Sequence, residues 1–453
     1  MAKPITKRAI LLNDPQRIPS EMNYAFHLAT NGRPGPVLLD IPMDVQRENV
    51  MEDLPIEVHE CATVTPDEKD ILAVREGLLR ARKPLILAGG GIRSSRTTKQ
   101  FRRLVDRLGI PVVHSLMGVD LLPTRHPLNA GMIGSYGNRW SNLTLSDCDC
   151  LLVLGSRLDV RQTGADTAGF KGDREIYHVD CESGEVNNRV KGCYSIICDL
   201  GPALEFLEEM LSPARDHLQK NTASWRMEIE DLRRKWPDED EIKTVAGINP
   251  NVFMHELSKK AEDISAWIAD VGQHQMWAAQ SLELNADQRF LTSGGMGSMG
   301  FALPAGIGAA IATPDQPVVV IAGDGGFQCN IQELQTVARL GLPIRIIVIN
   351  NHCLGMVRQF QESYFKSRYH STMWGYSAPD FAAVARAYGI PARSVSEASD
   401  VANACGWLHG QEKGPALLQV MVSAGANVYP KLAYGRGMSA MEPFEQPTAM
   451  EGT

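Results

Sequence analysis

Apolar residues along this chain come in short runs divided by polar, helix-length stretches, a pattern of buried strands alternating with amphipathic helices. Helical spacing from Pro19 to Asn31, a Gly32 to Gly35 turn and the run PVLLDIP at 36–42 make one αβ unit, too small to fold alone. A polar, proline-containing stretch from Arg47 to Glu68 reads as a linker, and a helix over Lys69 to Arg82 opens the next unit. Then come the strands PLILAGGG, IPVVHS, CLLVLGS and EIYHVD, with a helix running to Leu108 between the first two. Charged helical spacing over Arg215 to Glu241 ends in the acidic run after Pro237, read as a solvated link. Beyond it the alternation resumes with ISAWIADVG, QPVVVIAGDG, IRIIVINN and PALLQVMV.

The expected fold class is therefore α/β, with two doubly wound parallel-sheet domains preceded by a remnant of a third. Boundaries near 60 and 240 divide the chain into a remnant at 1–50, a central domain at 60–213, a last domain at 241–430 and a tail at 431–453. No short-period repeat or low-complexity tract appears.

Composition narrows the function classes. A net charge of -8 without a Lys/Arg block leaves no surplus for phosphate backbones, so nucleic acid is not an expected partner. The N-terminus lacks an apolar signal core and no apolar run could span a bilayer, so a cytoplasmic protein without membrane contact is expected. The nine cysteines show no repeated CxxC spacing, and Cys148 and Cys150 read as packing residues.

The sharpest chemical signal is VVVIA ending in Gly323-Asp324-Gly325, followed by IRIIVI ending in Asn350-Asn351, so that Asn351 lies 27 positions after Asp324. Ligands of parallel sheets collect at the carboxyl ends of strands, and a carboxylate with an amide oxygen there suits a hard cation. The glycines at 323, 325 and 326 admit a phosphate close to the backbone, with a helix beginning near Asn330 aiming amide groups at it.

Taken together, GDG, 24 residues and NN resemble the diphosphate motif of thiamine diphosphate enzymes. DVGQHQMWAAQ at 270–280, TSGGMGSMGFALPAGIGA at 292–309 and NNHCLGMVRQFQ at 350–361 resemble the acetolactate synthase large-subunit family, and the resemblance runs end to end. It implies a thiamine diphosphate- and magnesium-dependent enzyme that decarboxylates pyruvate or another 2-keto acid and joins the remaining two-carbon unit to a second carbonyl compound. The implied magnesium ligands are Asp324, Asn351 and the backbone carbonyl of Cys353. Val271, Gly272, Gln273, His274, Gly297, Met299, Gly325, Gly326, Leu354, Gly355, Met356 and Val357 would line the cofactor, Met299 as an apolar support beneath its bend. His274 suits either a diphosphate contact or proton transfer.

The family also implies FAD in the central domain, around Gly89, Gly90, Gly91, Leu116 and Met117. Arg157 and Arg161 can pair phosphates, Asp159 stands between them, and Asp180 can meet a ribose hydroxyl. A homodimer or homotetramer is implied, with a small regulatory subunit as a further partner. GRPGPVLLDIPMDVQ at 32–46 resembles the closing unit of the family's pyrimidine-binding domain, so on the order of 100 residues of such a domain are expected to be lacking. The family's activating glutamate would lie among them; Glu21 and Glu48 match no such motif and are expected in solvent. The chain as given is then expected to show little or no carboligase activity. Phe360 stands where the biosynthetic enzymes usually carry tryptophan, so preference for 2-ketobutyrate is not implied. Two other readings are a related carboligase or lyase with another acceptor, such as a keto-sugar, and a truncated non-catalytic paralogue.

Overall fold

The computed structural model describes residues 1–51, 62–411 and 414–448, so the expected boundary near 60 lies outside the described residues. The first unit is a parallel pair, β1 (Arg8–Leu11) and β2 (Val37–Asp40), joined through a helix at Ile18–Thr30. Glu21 is not in solvent as expected: it sits on the inner side of that helix, buried and paired with Arg17, whereas Glu48 is exposed.

The second unit is built on β3 (Pro84–Ala88), β4 (Val112–His114), β5 (Asn129–Met132), β6 (Cys150–Leu154), β7 (Glu175–Asp180) and β8 (Tyr194–Ile197), all parallel, in the order β5-β4-β3-β6-β7-β8. Side chains alternate across a strand, so Ile86 and Leu152 face one apolar layer with Phe101, Leu104 and Leu204, while Leu85, Leu87 and Val153 face another with Phe170 and Trp225. Both faces being covered explains the unbroken apolar runs. Cys148 and Cys150 are buried packing residues, as expected.

The third unit repeats this construction with β9 (Ala266–Ala269), β10 (Arg289–Thr292), β11 (Val318–Gly323), β12 (Ile344–Asn350), β13 (Ala392–Val395) and β14 (Ala416–Met421), in the order β10-β9-β11-β12-β14-β13, all parallel. In each sheet the chain leaves a pair of central strands in opposite directions, outward throughout in the second unit, whereas in the third unit it runs past β12 to the edge strand β13 and returns to insert β14 between them. That pair is β3 and β6 in one and β9 and β11 in the other, and the reversal opens a crevice at their carboxyl ends.

The acidic run after Pro237 is only in part the solvated link its charge suggested: Glu239 and Asp240 are exposed, but the two acids that flank them are not. Asp238 is buried against His255 and Ser281, and the carboxylate of Glu241 accepts two bonds from Arg139, at 2.6 and 2.7 Å, with side chains only 3% and 5% exposed. Burying acidic groups is costly unless each is paired, and these are. Residues 431–448, read as a tail, fold back: Lys431–Leu432 pairs with Met441–Glu442, and Leu432, Met438 and Met441 join an apolar layer of the second unit.

Candidate functional site

At the crevice of the third unit, β9 runs into Asp270, whose buried carboxylate accepts backbone N–H bonds from Val271 (2.7 Å), Gly300 (3.0 Å) and Ala302 (2.9 Å). This fastens the turn carrying Gly297 and Met299 over the crevice. Asp270 was within the motif, but its part in organising the site was not legible without the fold.

Asp324 follows β11 directly and opens a short helix, Asp324–Gln328, that was not expected; the helical segment expected near Asn330 begins at Ile331, after it. Asp324 Oδ1 accepts the Gly325 N–H at 2.9 Å, and its Oδ2 is buried without a partner. Burial is the main reason its pKa rises to about 6. Asn351, just past β12, accepts the Cys353 N–H on Oδ1 at 3.2 Å and donates from Nδ2 to Gln273 Oε1 at 3.1 Å. Gln273 in turn donates to Gln359 and to the Ala426 carbonyl. A Cβ on Gly355 would stand 1.9 Å from Gln273 Oε1, so only glycine lets this network close.

The structure thus brings Asp324, Asn351, the Cys353 backbone, Gln273 and Gly355 together. Gly325 adds Met299, Leu354 and Tyr376, whose nearest atoms lie 3.3, 2.7 and 3.4 Å from where its Cβ would be. Gly326 packs in the same way on Asp270, Met356 turns toward the neighbouring cavity, and Val357 lies on the outer side, half exposed. The His274 ring lies against the Gly272 and Gly323 backbones, buried, its pKa lowered to about 4 by desolvation and its Nε2 unpartnered. A neutral imidazole so enclosed supports the turn and is poorly placed to exchange protons with solvent. Among the described residues no three His, Cys, Asp or Glu side chains gather as a metal cluster, so a cation here would rest on one carboxylate, an amide and backbone oxygen.

The crevice of the second unit opens into a cavity of about 770 Å³ reaching across to the third unit. Gly90, Gly91, Leu116, Met117, Arg157, Asp159, Arg161 and Asp180 line it from one side, and Val271, Gly272, Gly297 and Met356 from the other. Gly89 lies just behind: its Cβ would meet the Gly155 carbonyl oxygen at 2.2 Å. Asp159 caps the helix Val160–Thr163 and pairs with Arg157, while Arg161 bonds the Gly294 carbonyl, tying the units together. Asp180 accepts the Glu182 N–H at 3.0 Å. The cavity also draws in Arg33 and Arg93, which lie in or next to the motif segments but were not singled out, and Asp120 and Arg289, which lie outside every motif and could not be found from sequence.

Residues 270–420 match the thiamine pyrophosphate enzyme C-terminal TPP-binding domain, and residues 71–209 match the central domain of the same enzymes. Over 449 residues the chain is 33% identical to an acetolactate synthase large subunit of Pyropia yezoensis, covering 98% of this chain and 75% of that protein. The chain belongs to the acetolactate synthase large-subunit family. It is also 34% identical to the large subunit of Lactococcus lactis subsp. lactis, covering 95% of this chain and 74% of that one. With the chloroplastic acetolactate synthase 2 of Nicotiana tabacum the identity is 35%, covering 96% and 66%. As a member of this family the chain is a thiamine diphosphate-dependent enzyme of the acetolactate synthase type, and its two doubly wound sheets are the central and cofactor-binding folds of that class. No helix among the described residues is long and apolar enough to cross a membrane.

Proposed function

We propose that the protein binds thiamine diphosphate through magnesium at Asp324, Asn351 and the backbone carbonyl of Cys353, and acts on pyruvate or a closely similar 2-keto acid, transferring its decarboxylated remnant to a second carbonyl compound. The observation that carries this reading is the buried, unpartnered Asp324 Oδ2 at a switch-point crevice beside Asn351. A buried carboxylate without a donor is costly, and a hard cation is the partner that oxygen ligands of this kind accept. When bound, the cofactor supplies the carbanion chemistry that decarboxylation and carbon–carbon bond formation need. The protein's part is to position it: Gln273 and Gly355 fix Asn351, Asp270 holds the Gly297–Met299 turn, and Met299 and Leu354 give the crevice an apolar wall beside Gly325.

FAD is proposed for the cavity between the units. Its volume lies in the range of cofactor pockets, and Gly90, Gly91, Arg157 and Asp180 meet at one switch point. The proposed division is 1–50, 60–213, 241–430 and 431–453, with assembly as a homodimer or homotetramer open to a small regulatory subunit. Phe360, ringed by Tyr364 at 4.6 Å and 41% exposed, is proposed to face the acceptor. Product analysis with pyruvate, 2-ketobutyrate and a keto-sugar as acceptors assigns the second carbonyl.

The test of the cofactor site is calorimetry with thiamine diphosphate and magnesium. Asp324→Ala should abolish metal-dependent binding, and unchanged binding in that variant would refute the site.

A further inference from the structure

Tyr376 lies outside every motif, yet the fold delivers its hydroxyl to the cation site. The segment before it is tied to the cofactor turn, since the Leu354 N–H donates to the Thr372 carbonyl at 3.0 Å and Thr372 Oγ1 donates to Gln361 at 2.5 Å. Tyr376 then closes its own turn, N–H to the Met373 carbonyl at 3.2 Å. Its hydroxyl is shut off from solvent and has no hydrogen-bond partner, and the same is true of Asp324 Oδ2. The two groups are close enough for each to bear on the other's ionisation, yet neither oxygen has a partner that meets both the distance and the angle of a hydrogen bond.

Two buried polar atoms at one spot, both without partners, mark a place completed by a ligand. A carboxylate oxygen can only accept or ligate, whereas a phenol can donate. One cation would satisfy Asp324 and leave the hydroxyl idle. An anionic oxygen arriving with the cation would satisfy both. The room for it is the space above Gly325, bounded by Leu354, Met299 and the Tyr376 oxygen.

We propose that Tyr376 is a positioning residue of this site, its hydroxyl donating to a diphosphate oxygen of the cofactor beside the Asp324-bound cation. The proposal rests on the reading of Asp324 and Asn351 as the cation site.

Tyr376→Phe keeps the ring and removes only the donor, and its thermal melt should stay near that of the unaltered chain. Calorimetry of the full chain with thiamine diphosphate and magnesium should then show binding weaker by roughly tenfold, the scale of one hydrogen bond to a charged group. Mn²⁺ alone, followed by its paramagnetic signal, should bind the variant and the unaltered chain equally. If Tyr376→Phe leaves thiamine diphosphate affinity unchanged while Asp324→Ala abolishes it, the inference about Tyr376 is overturned and the cation site stands. Equal loss of Mn²⁺ and cofactor affinity would place the hydroxyl on the carboxylate and overturn the diphosphate contact. No binding by the unaltered chain, or full binding by Asp324→Ala, would overturn the underlying reading itself.

Discussion

The two six-stranded sheets place their crevices by one rule and fill them in opposite ways. In the second unit, Gly89 and Gly91 pack on Gly155, the acidic groups Asp159 and Asp180 are already satisfied by backbone N–H groups, and the space beyond is a cavity of about 770 Å³. At the crevice of the third unit, by contrast, Asp324 Oδ2, the Tyr376 hydroxyl and His274 Nε2 are buried without partners. Winding direction settles where a ligand goes. The state of the acidic groups indicates what kind it is: a roomy pocket whose carboxylates already have partners suits a large cofactor held by shape, and an unsatisfied carboxylate suits a small hard ion.

The comparison would lose its meaning if the two crevices were not held in register, and that is where the largest effect is expected. Lys431 and Glu442 form a buried pair at 2.8 Å, with side chains 8% and 7% exposed. Lys431 also reaches Ser363 and Tyr364 at the end of the helix Gly355–Tyr364, while Arg139 of the second unit donates to the Glu442 carbonyl. Lys431→Met strands a buried carboxylate and should cost about 3–5 kcal/mol in chemical denaturation, with much of that regained when Glu442→Met is added. A cost under about 1 kcal/mol would show that the hairpin does not couple the two units.

A smaller, crossed effect separates the crevices from each other. Gly89→Ala forces a methyl against the Gly155 carbonyl, and Gly355→Ala forces one against Gln273. Each should destabilise by about 1–3 kcal/mol. Flavin absorbance after incubation with FAD should fall for Gly89→Ala alone, and thiamine diphosphate affinity for Gly355→Ala alone. If both variants lose both ligands, the crevices are one site and the contrast drawn above is wrong.

How much of this the sequence carried follows from burial. Strands covered on both faces, such as β3, β6, β11 and β12, announce themselves as apolar runs, and all were legible. The strands that were not, β1, β5, β8, β10 and β13, are all edges. Most are partly exposed, with residues such as Tyr194 and Ser394 in solvent, and β5 reads Asn-Ala-Gly-Met, with little apolar signal. The site divides the same way. Asp324, Asn351 and Gln273 sit in contiguous motifs, whereas Tyr376 and Arg289 reach their crevices only through loop and sheet geometry. The acidic run at 237–241 misled because charge density is normally a surface property, and here each buried acid has a partner distant in sequence, Arg139 for Glu241 and His255 for Asp238.

That last pairing yields the smallest effect and a different handle on the junction. His255, on the helix Pro250–Ser258, lies between two carboxylates: its Nε2 is 3.0 Å from Asp238 and its Nδ1 3.4 Å from Glu283, which also pairs with Arg125 of the second unit at 2.6 Å. Burial alone would lower its pKa, but the hydrogen bond and charge of Asp238, with Glu239 and Glu283, outweigh burial and leave it raised. An imidazole whose pKa is raised by folding stabilises the fold fully below its unfolded value, near 6.5, and that contribution is lost as pH climbs through the folded pKa. The group is partly exposed and solvent-screened, so the effect should stay within about 1 kcal/mol. Thermal melts between about pH 6 and 9 should show the unaltered chain more stable than His255→Gln at the acid end, the gap narrowing as pH rises. Cofactor affinities should not follow this titration, because His255 touches neither crevice. A gap that is constant across the range would mean that His255 holds the junction by packing, and that the two carboxylates are stabilised by Ser281 and Arg125 without its charge.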